Sequence, residues 1–352
     1  MTGLVLVVPG AIDQLTGGYL FDRHVVDGLR ALGRTVRVVE LPGRFPDADA
    51  LTRASAASAL AGLASGTPVV IDGLALPGFA DCLEREASRL RLFGFVHHPL
   101  SMETGSAPAQ ARGLALLEAR LWPMLRGILC PSEHTAQAIV AAGVAADRVQ
   151  VTPPGTEPPA IAPQPRPTPS GQWNLLAVGT VTPRKGHLLL IEALAGLRDI
   201  DWRLICIGSL ERDPGAAAAL RAAIAGHRLG DRITLEGELP HEELSAAYRA
   251  ADLFTLPSWH EGYGMVFAEA LAHGLPVIAT HAGAIPATVP AAASLLVSPG
   301  DVAALRQALQ RVFTDASLHA RLAKGAVAAG RALPDWPTAV AGWAAGFDRL
   351  AK

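Results

Sequence analysis

Two glutamates set around a glycine turn are the part of this sequence best equipped for chemistry. Glu261 and Glu269 stand eight residues apart, with Gly262-Tyr263-Gly264 directly after the first and the apolar run Met265-Val266-Phe267-Ala268 before the second. Glycines ahead of a helix let backbone N–H groups approach an anion, and the helix start adds the positive end of its dipole. The segment therefore reads as a phosphate cradle with one carboxylate before it and one beyond it. If all eight steps were helical, the carboxylates would lie about 12 Å apart along the axis and about 80° apart around it. Paired glycosidase carboxylates act across one bond at roughly 5–9.5 Å. The spacing thus turns away from an acid–base pair. It favours two carboxylates reaching opposite ends of one long ligand, such as a sugar joined to a nucleotide through a diphosphate.

Other residues could supply charge to such a ligand. Arg184 and Lys185 lie in Val178-Gly179-Thr180-Val181-Thr182-Pro183-Arg184-Lys185-Gly186, between an expected strand and an expected helix. Arginine offers a planar fork and lysine a point charge. An Arg-Lys pair is as often solvated surface, but a strand-to-helix loop is where anions bind. Gly17-Gly18 precedes the first expected helix and could bring amides to a phosphate, although alone it reads as a plain loop. His97-His98-Pro99 follows an apolar run, where a histidine could contact a sugar hydroxyl or stabilise charge. Neighbouring histidines rarely ligate one metal, and no Asp, Glu or Cys stands at metal spacing nearby. Asp47-Ala48-Asp49 and Asp199-Ile200-Asp201 read as solvated turns rather than divalent-metal sites, and His187, His260, His273 and His281 as structural or surface residues.

The elements that must position these residues alternate. Strands are expected at Leu4–Val8, Val36–Glu40, Val69–Ile71, Leu92–Val96, Gly127–Cys130 and Val149–Thr152. Helices are expected between them at Tyr19–Leu32, Leu51–Gly62, Gly78–Arg89, Gln110–Leu125 and Glu133–Ala141. This order implies a parallel sheet covered on both faces. The proline-dense stretch from Pro153 to Pro169 forbids helix or central strand. The alternation restarts at Leu175–Gly179 and runs to helices near Asp301–Phe313 and Ser317–Ala329. Ligands of such sheets bind beyond the C-terminal ends of the strands, and two units of similar size imply a cleft. The expected domains are 1–158, a linker at 159–172, and 173–335, with a terminal helix at Trp336–Leu350 packing back on the first domain as part of 336–352.

Bulk composition narrows the classes. A chain of 352 residues suits two domains of about 150–180 each. A net charge of −2 gives no basic field for nucleic acid. Cys82, Cys130 and Cys206 match no metal or disulfide spacing and read as buried reduced thiols, so a cytoplasmic location is expected. The start, Met1-Thr2-Gly3 followed by Leu4–Val8, lacks the basic residues and longer apolar core of a secretory signal. No apolar run of about 18 residues is present to span a membrane. No Gly-x-Gly-x-x-Gly follows the first strand, which counts against a dinucleotide dehydrogenase.

With these residues in view, the chain resembles glycosyltransferase family 4, whose GT-B fold has two Rossmann-like parallel-sheet domains facing a cleft. The resemblance runs over nearly the whole chain. It is carried by Gly179–Gly186, Ala250–Ser258, Glu261–Glu269 and Ala272–Thr280, and in the first half by Gly17-Gly18, His97, Pro131-Ser132-Glu133 and Pro154-Gly155. It implies a retaining transfer of a sugar from a nucleotide-diphosphate donor, without a metal or other cofactor. By the same resemblance, Glu261 would hold donor-sugar hydroxyls and the amides of Tyr263, Gly264 and Met265 would meet the diphosphate. Glu269 would accept from the ribose diol, Arg184 and Lys185 would neutralise the leaving diphosphate, and His97 would contact the sugar near the reacting carbon. Gly17 and Gly18 are placed on the donor side too. The chain departs from the pattern at Thr180, where many relatives carry Arg, and at Gly283-Ala284-Ile285-Pro286-Ala287, where many carry Gly-Gly and then an acid.

Two other readings share these features: a sugar-nucleotide epimerase of the same fold, and a nucleotide-sugar-binding protein without turnover. Acceptor contacts are expected around Gly17–Phe21, Leu74–Gly78 and Pro99–Ser106. Arg112, Arg120 and Arg126 form no dense basic cluster of the kind that holds a lipid surface, which favours a small soluble acceptor over peripheral membrane contact.

Overall fold

The computed structural model describes residues 3–104 and 107–352 and divides the chain into two compact units. Residues 1 and 2, part of the N-terminal reading, and Gly105 and Ser106, at the end of the expected acceptor segment, lie outside the described residues. The first unit comprises residues 1–155 with 334–352, and the second 156–333.

In the first unit, the elements in order are β1 (Leu4–Pro9), α1 (Gly17–Ala31), β2 (Val36–Leu41), α2 (Ala50–Ala61), β3 (Pro68–Asp72), α3 (Leu83–Ala87), β4 (Arg91–Phe95), α4 (Pro108–Leu121), β5 (Gly127–Cys130), α5 (Glu133–Ala141) and β6 (Val149–Val151). The strands form one parallel sheet in the order β2-β1-β3-β4-β5-β6. β1, β3 and β5 are buried throughout, as continuous apolar runs in a sheet covered on both faces must be. The strand order reverses between β1 and β3, so ligands of this unit are expected at the loops after those two strands.

Two expected helices differ. Gly78–Arg89 is broken: Leu76–Phe79 is a 3₁₀ turn containing Pro77, and only Leu83–Ala87 is α-helical. The close approach of Gly78 to Thr52, whose Cγ2 would lie 2.9 Å from an added Cβ, fixes that turn against α2. The helix expected to reach Leu125 ends at Leu121, and a 3₁₀ turn takes over at Trp122–Met124. Pro123 lacks the N–H that an α-helix needs and clashes with the preceding turn.

The second unit runs β7 (Trp173–Val178), α6 (His187–Ala195), β8 (Trp202–Ile207), α7 (Pro214–Gly226), β9 (Ile233–Leu235), α8 (His241–Ala250), β10 (Leu253–Thr255), α9 (Met265–Ala272), β11 (Val277–Thr280), α10 (Ile285–Thr288), β12 (Ser294–Val297), α11 (Val302–Thr314) and α12 (Ala316–Ala332). Its parallel sheet has the order β12-β11-β10-β7-β8-β9, that of a dinucleotide-binding Rossmann sheet. The reversal falls between β7 and β10, whose following loops carry Arg184-Lys185 and Glu261. The proline-dense segment is pinned to this unit: Arg166 donates to the carbonyls of Tyr248 and Arg249, and Thr168 Oγ1 lies 3.1 Å from His319 Nδ1.

The last helix, α13 (Trp336–Leu350), is grouped with the first unit. It buries Val340, Trp343 and Phe347. The Phe347 ring packs edge-on against Phe93, the Trp343 ring against Phe95, and Asp348 takes two hydrogen bonds from Arg34. All three cysteines are free and buried. Among the described residues, no helix is long and apolar enough to cross a membrane.

Candidate active site

In the second unit the structure joins three of the charged residues singled out in the sequence. Lys185 Nζ donates to Glu261 Oε1 at 2.6 Å, and Arg184 Nη1 donates to Glu261 Oε2 at 3.2 Å and to the His260 carbonyl at 2.9 Å. The Arg184 carbonyl in turn accepts from Trp259 N at 2.7 Å, so the loops after β7 and β10 are laced by side chain and backbone. Ser258 Oγ donates to Glu261 Oε1 at 2.8 Å. A third loop, after β11, supports the Glu261 backbone: Ala284 N donates to the Glu261 carbonyl at 2.9 Å. Gly283 approaches so closely that an added Cβ would lie 2.2 Å from that oxygen. The departure from the family pattern noted in the sequence falls on this support.

The Glu261 side chain is 7% exposed. Burial opposes its charge, but Lys185, then Arg184, then the hydrogen bonds outweigh it and hold the carboxyl down at about 2. Glu261 is a fixed carboxylate acceptor rather than a proton donor. The trio carries two positive charges and one negative, so a net positive charge sits at the switch point.

The glycine turn forms as the sequence implied. Gly264 is left-handed, with φ of 88°, and caps α9; an added Cβ would meet the Phe267 ring at 2.6 Å. Met265 then opens the helix, and the Tyr263 carbonyl accepts from Thr288 Oγ1 at 2.7 Å. Glu269 is part-buried about one turn into α9 and bonds to a different partner. Tyr248 Oη donates to its Oε2 at 2.8 Å, and burial raises the carboxyl's pKa. Tyr248 is itself fully buried and stacked on His273, whose Nδ1–H donates to the Glu269 carbonyl at 2.8 Å.

In the first unit Gly17 and Gly18 form the first turn of α1, and a Cβ on Gly18 would lie 3.3 Å from His97 Cδ2. His97 Nε2 lies 3.1 Å from Asp22 Oδ1 and 3.1 Å from Asp72 Oδ2. His98 turns elsewhere, its Nε2 being 3.0 Å from Glu103 Oε2. Both aspartates are buried. Burial opposes a charge on the His97 ring, but Asp22 and then Asp72 outweigh it and raise its pKa far above the usual histidine range; burial pushes the Asp22 carboxyl up. Ligand-type atoms of Asp22, Asp72 and His97 all lie within 4.8 Å of one another, the one such grouping among the described residues, at the separations of hydrogen bonds.

Asp22, Asp72 and Tyr248 were not singled out from the sequence, and Ser258 stood in the Ala250–Ser258 stretch without a role of its own. Asp72 did carry a signal: it ends the apolar run Val69-Val70-Ile71 just before a glycine, and the C-terminal ends of parallel strands are where ligands bind. Asp22 sits on the buried face of an amphipathic helix, where only the phase of the apolar residues marks it.

The model of a family described as "Glycosyl transferases group 1" matches residues 172–315. A D-inositol 3-phosphate glycosyltransferase of Catenulispora acidiphila is 28% identical over 90% of this chain and 89% of its own. The enzyme of the same name from Pseudarthrobacter chlorophenolicus is 31% identical over 53% of this chain, which thus spans about half (46%) of that relative's length. Among solved structures, a sucrose-phosphate synthase from Thermosynechococcus elongatus superposes with a TM-score of 0.82 at 21% identity, covering 99% of both chains. Anabaena HepE, solved with UDP-glucose, superposes with a TM-score of 0.75 at 19% identity over 99% of this chain and all (100%) of its own. These two likenesses establish two Rossmann-like domains of the GT-B kind.

Proposed function

We propose that the chain is a glycosyltransferase of family 4 that moves a sugar from a nucleoside-diphosphate donor to a small hydroxylated acceptor, with retention and without a metal. The observation that carries this reading is the Glu261–Arg184–Lys185 cluster at the switch point of the second sheet, directly before the left-handed Gly264 turn that opens α9.

The roles follow from the chemistry of each group. Glu261, ionised and held at both oxygens, accepts hydrogen bonds from hydroxyls of the donor sugar. The backbone around Tyr263, Gly264 and Met265 takes the diphosphate at the start of α9, aided by the helix dipole. Glu269 accepts from the ribose diol, with Tyr248 orienting the carboxylate from behind. Breaking the bond between the anomeric carbon and the diphosphate oxygen leaves negative charge on the diphosphate. Arg184 and Lys185 offset that charge where it grows, so their effect falls on the transition state more than on binding. His97 contacts the sugar near the reacting carbon, with Gly17 and Gly18 admitting the substrate beside it.

The neighbour solved with UDP-glucose makes UDP-sugars the first donors to try, and the relatives named for D-inositol 3-phosphate make polyol phosphates the first acceptors. The protein is incubated with UDP-, GDP- and ADP-sugars, alone and with an acceptor panel, with and without EDTA, and followed by mass spectrometry and NMR. The reading expects a glycosylated acceptor whose anomeric configuration matches the donor's, formed equally in EDTA. Conversion of donor without any acceptor would replace it with an epimerase, and an inverted product or an EDTA-sensitive rate would overturn the mechanism.

A further inference from the structure

The two aspartates on His97 are unaccounted for by donor binding. Both are buried, and their carboxylates converge on a single ring nitrogen from different elements, Asp22 from α1 and Asp72 from the end of β3. A carboxylate accepts and does not donate, so Nε2 must carry a proton to hold either contact. A ring protonated at Nε2 alone is neutral and balances neither acid, so the negative charge beside it favours a second ring proton, at Nδ1.

The ring's surroundings give its orientation. Its Cδ2 and Nε2 edge faces Gly18 and the two aspartates, while the Phe95 and Phe21 rings lie 4.5 and 5.7 Å away, centre to centre. The side chain is 18% exposed, and Nδ1 lies across Cε1 from the nitrogen that meets the two aspartates. Asp22 and Asp72 are the charged groups that face the ring, since the adjacent His98 is bonded to Glu103.

We propose that Asp22 and Asp72 are positioning residues that fix His97 as an imidazolium, with Nε2–H turned inward to them and Nδ1–H turned outward as a hydrogen-bond donor to a substrate oxygen. His97 then supplies positive charge and a donor at neutral pH, and does not take a proton from the acceptor hydroxyl. The substrate oxygen rests on the glycosyl-transfer reading; the charge state and orientation of the ring do not. The raised proton affinity of His97 agrees with this arrangement.

The test is ¹⁵N NMR of the histidine-labelled protein, with His97→Gln used to assign the His97 resonances. In the parent, both His97 nitrogens are expected to stay protonated from pH 6 to 8.5, unchanged by EDTA. Asp72→Asn and Asp22→Asn are each expected to lower the proton affinity of the ring by about tenfold or more. The pH dependence of kcat should gain a new ionisation in these variants that the parent lacks. A parent ring titrating at an ordinary histidine pH would overturn the proposal. So would a neutral ring whose signals shift with EDTA and return with zinc, which would make the three residues a cation site. The parent spectrum decides even if a variant fails to fold. If His97 is an imidazolium and no glycosyl transfer is found, only the functional reading falls.

Discussion

Lys185 and Arg184 each have a contact with Glu261, so removing both would do two things at once. On the proposed reading it would take positive charge from the leaving diphosphate, and it would strand a buried carboxylate that keeps the Ser258 hydroxyl as a donor. The second effect costs stability, because an uncompensated buried charge is strongly unfavourable. The two effects separate by design. Arg184→Ala with Lys185→Ala should lower both thermal stability and turnover, by about 100-fold or more in kcat, with donor affinity changed less. Adding Glu261→Gln should restore stability while turnover stays far below that of Glu261→Gln alone, the reference needed because Glu261 itself serves the donor sugar. Turnover that recovers with stability, measured by coupled assay beside thermal melts, would remove the two basic residues from the chemistry. Each of these residues was visible in the sequence as a charge beside a glycine-bearing loop. Their contact was not, because Lys185 and Glu261 are 76 residues apart and only the strand order brings β7 beside β10. Asp22 was hidden for a different reason: a carboxylate in an amphipathic helix reads as surface unless the phase of its face is weighed.

At the scale of elements, the apolar runs located the strands because both sheets are parallel and buried, so strand identity was written in composition as well as in period. Helix ends were less legible. Pro123 shortens a helix whose apolar pattern runs on past it, and the expected Gly78–Arg89 helix is broken after the 3₁₀ turn at Leu76–Phe79, which the apolar pattern alone does not mark. α6 holds a further surprise. His187 opens the helix fully in the core, and neither ring nitrogen has a hydrogen-bond partner. Burial first, and then Lys185, lower its pKa to about 4 and keep it neutral. In the unfolded chain the same ring takes a proton near 6.5. The unfolded state therefore binds more protons between those values, and stability falls as pH drops from 6.5 toward 4. His187→Leu should flatten that part of the stability–pH curve and raise stability at pH 5, as read by denaturant unfolding. An unchanged slope would mean that the ring finds a partner in solution.

At the scale of the whole molecule, the two units were foreseeable from the restart of the strand–helix alternation, and the return of the terminal helix from the absence of a strand to pair it with. That helix is integral to the first unit. Burying Val340, Trp343 and Phe347 contributes roughly 1.5–3 kcal/mol each, comparable in sum with the usual stability of a domain. A chain ending at Leu333 should lose hydrogen-exchange protection in β1–β6 while keeping it in β7–β12; retained protection in both sheets would show α13 to be dispensable. The central claim is that this protein grips a nucleotide sugar along a clamp from Glu261 to Glu269, and calorimetric titration tests it most directly. UDP, GDP, ADP and their sugars are titrated into the parent and into Glu269→Ala. A charge-assisted hydrogen bond contributes about 1.5–3 kcal/mol, so the account predicts that the parent binds one nucleotide series and that the variant binds it roughly 10–150-fold more weakly. A variant that binds every nucleotide as tightly as the parent, or a parent that binds none, would contradict it.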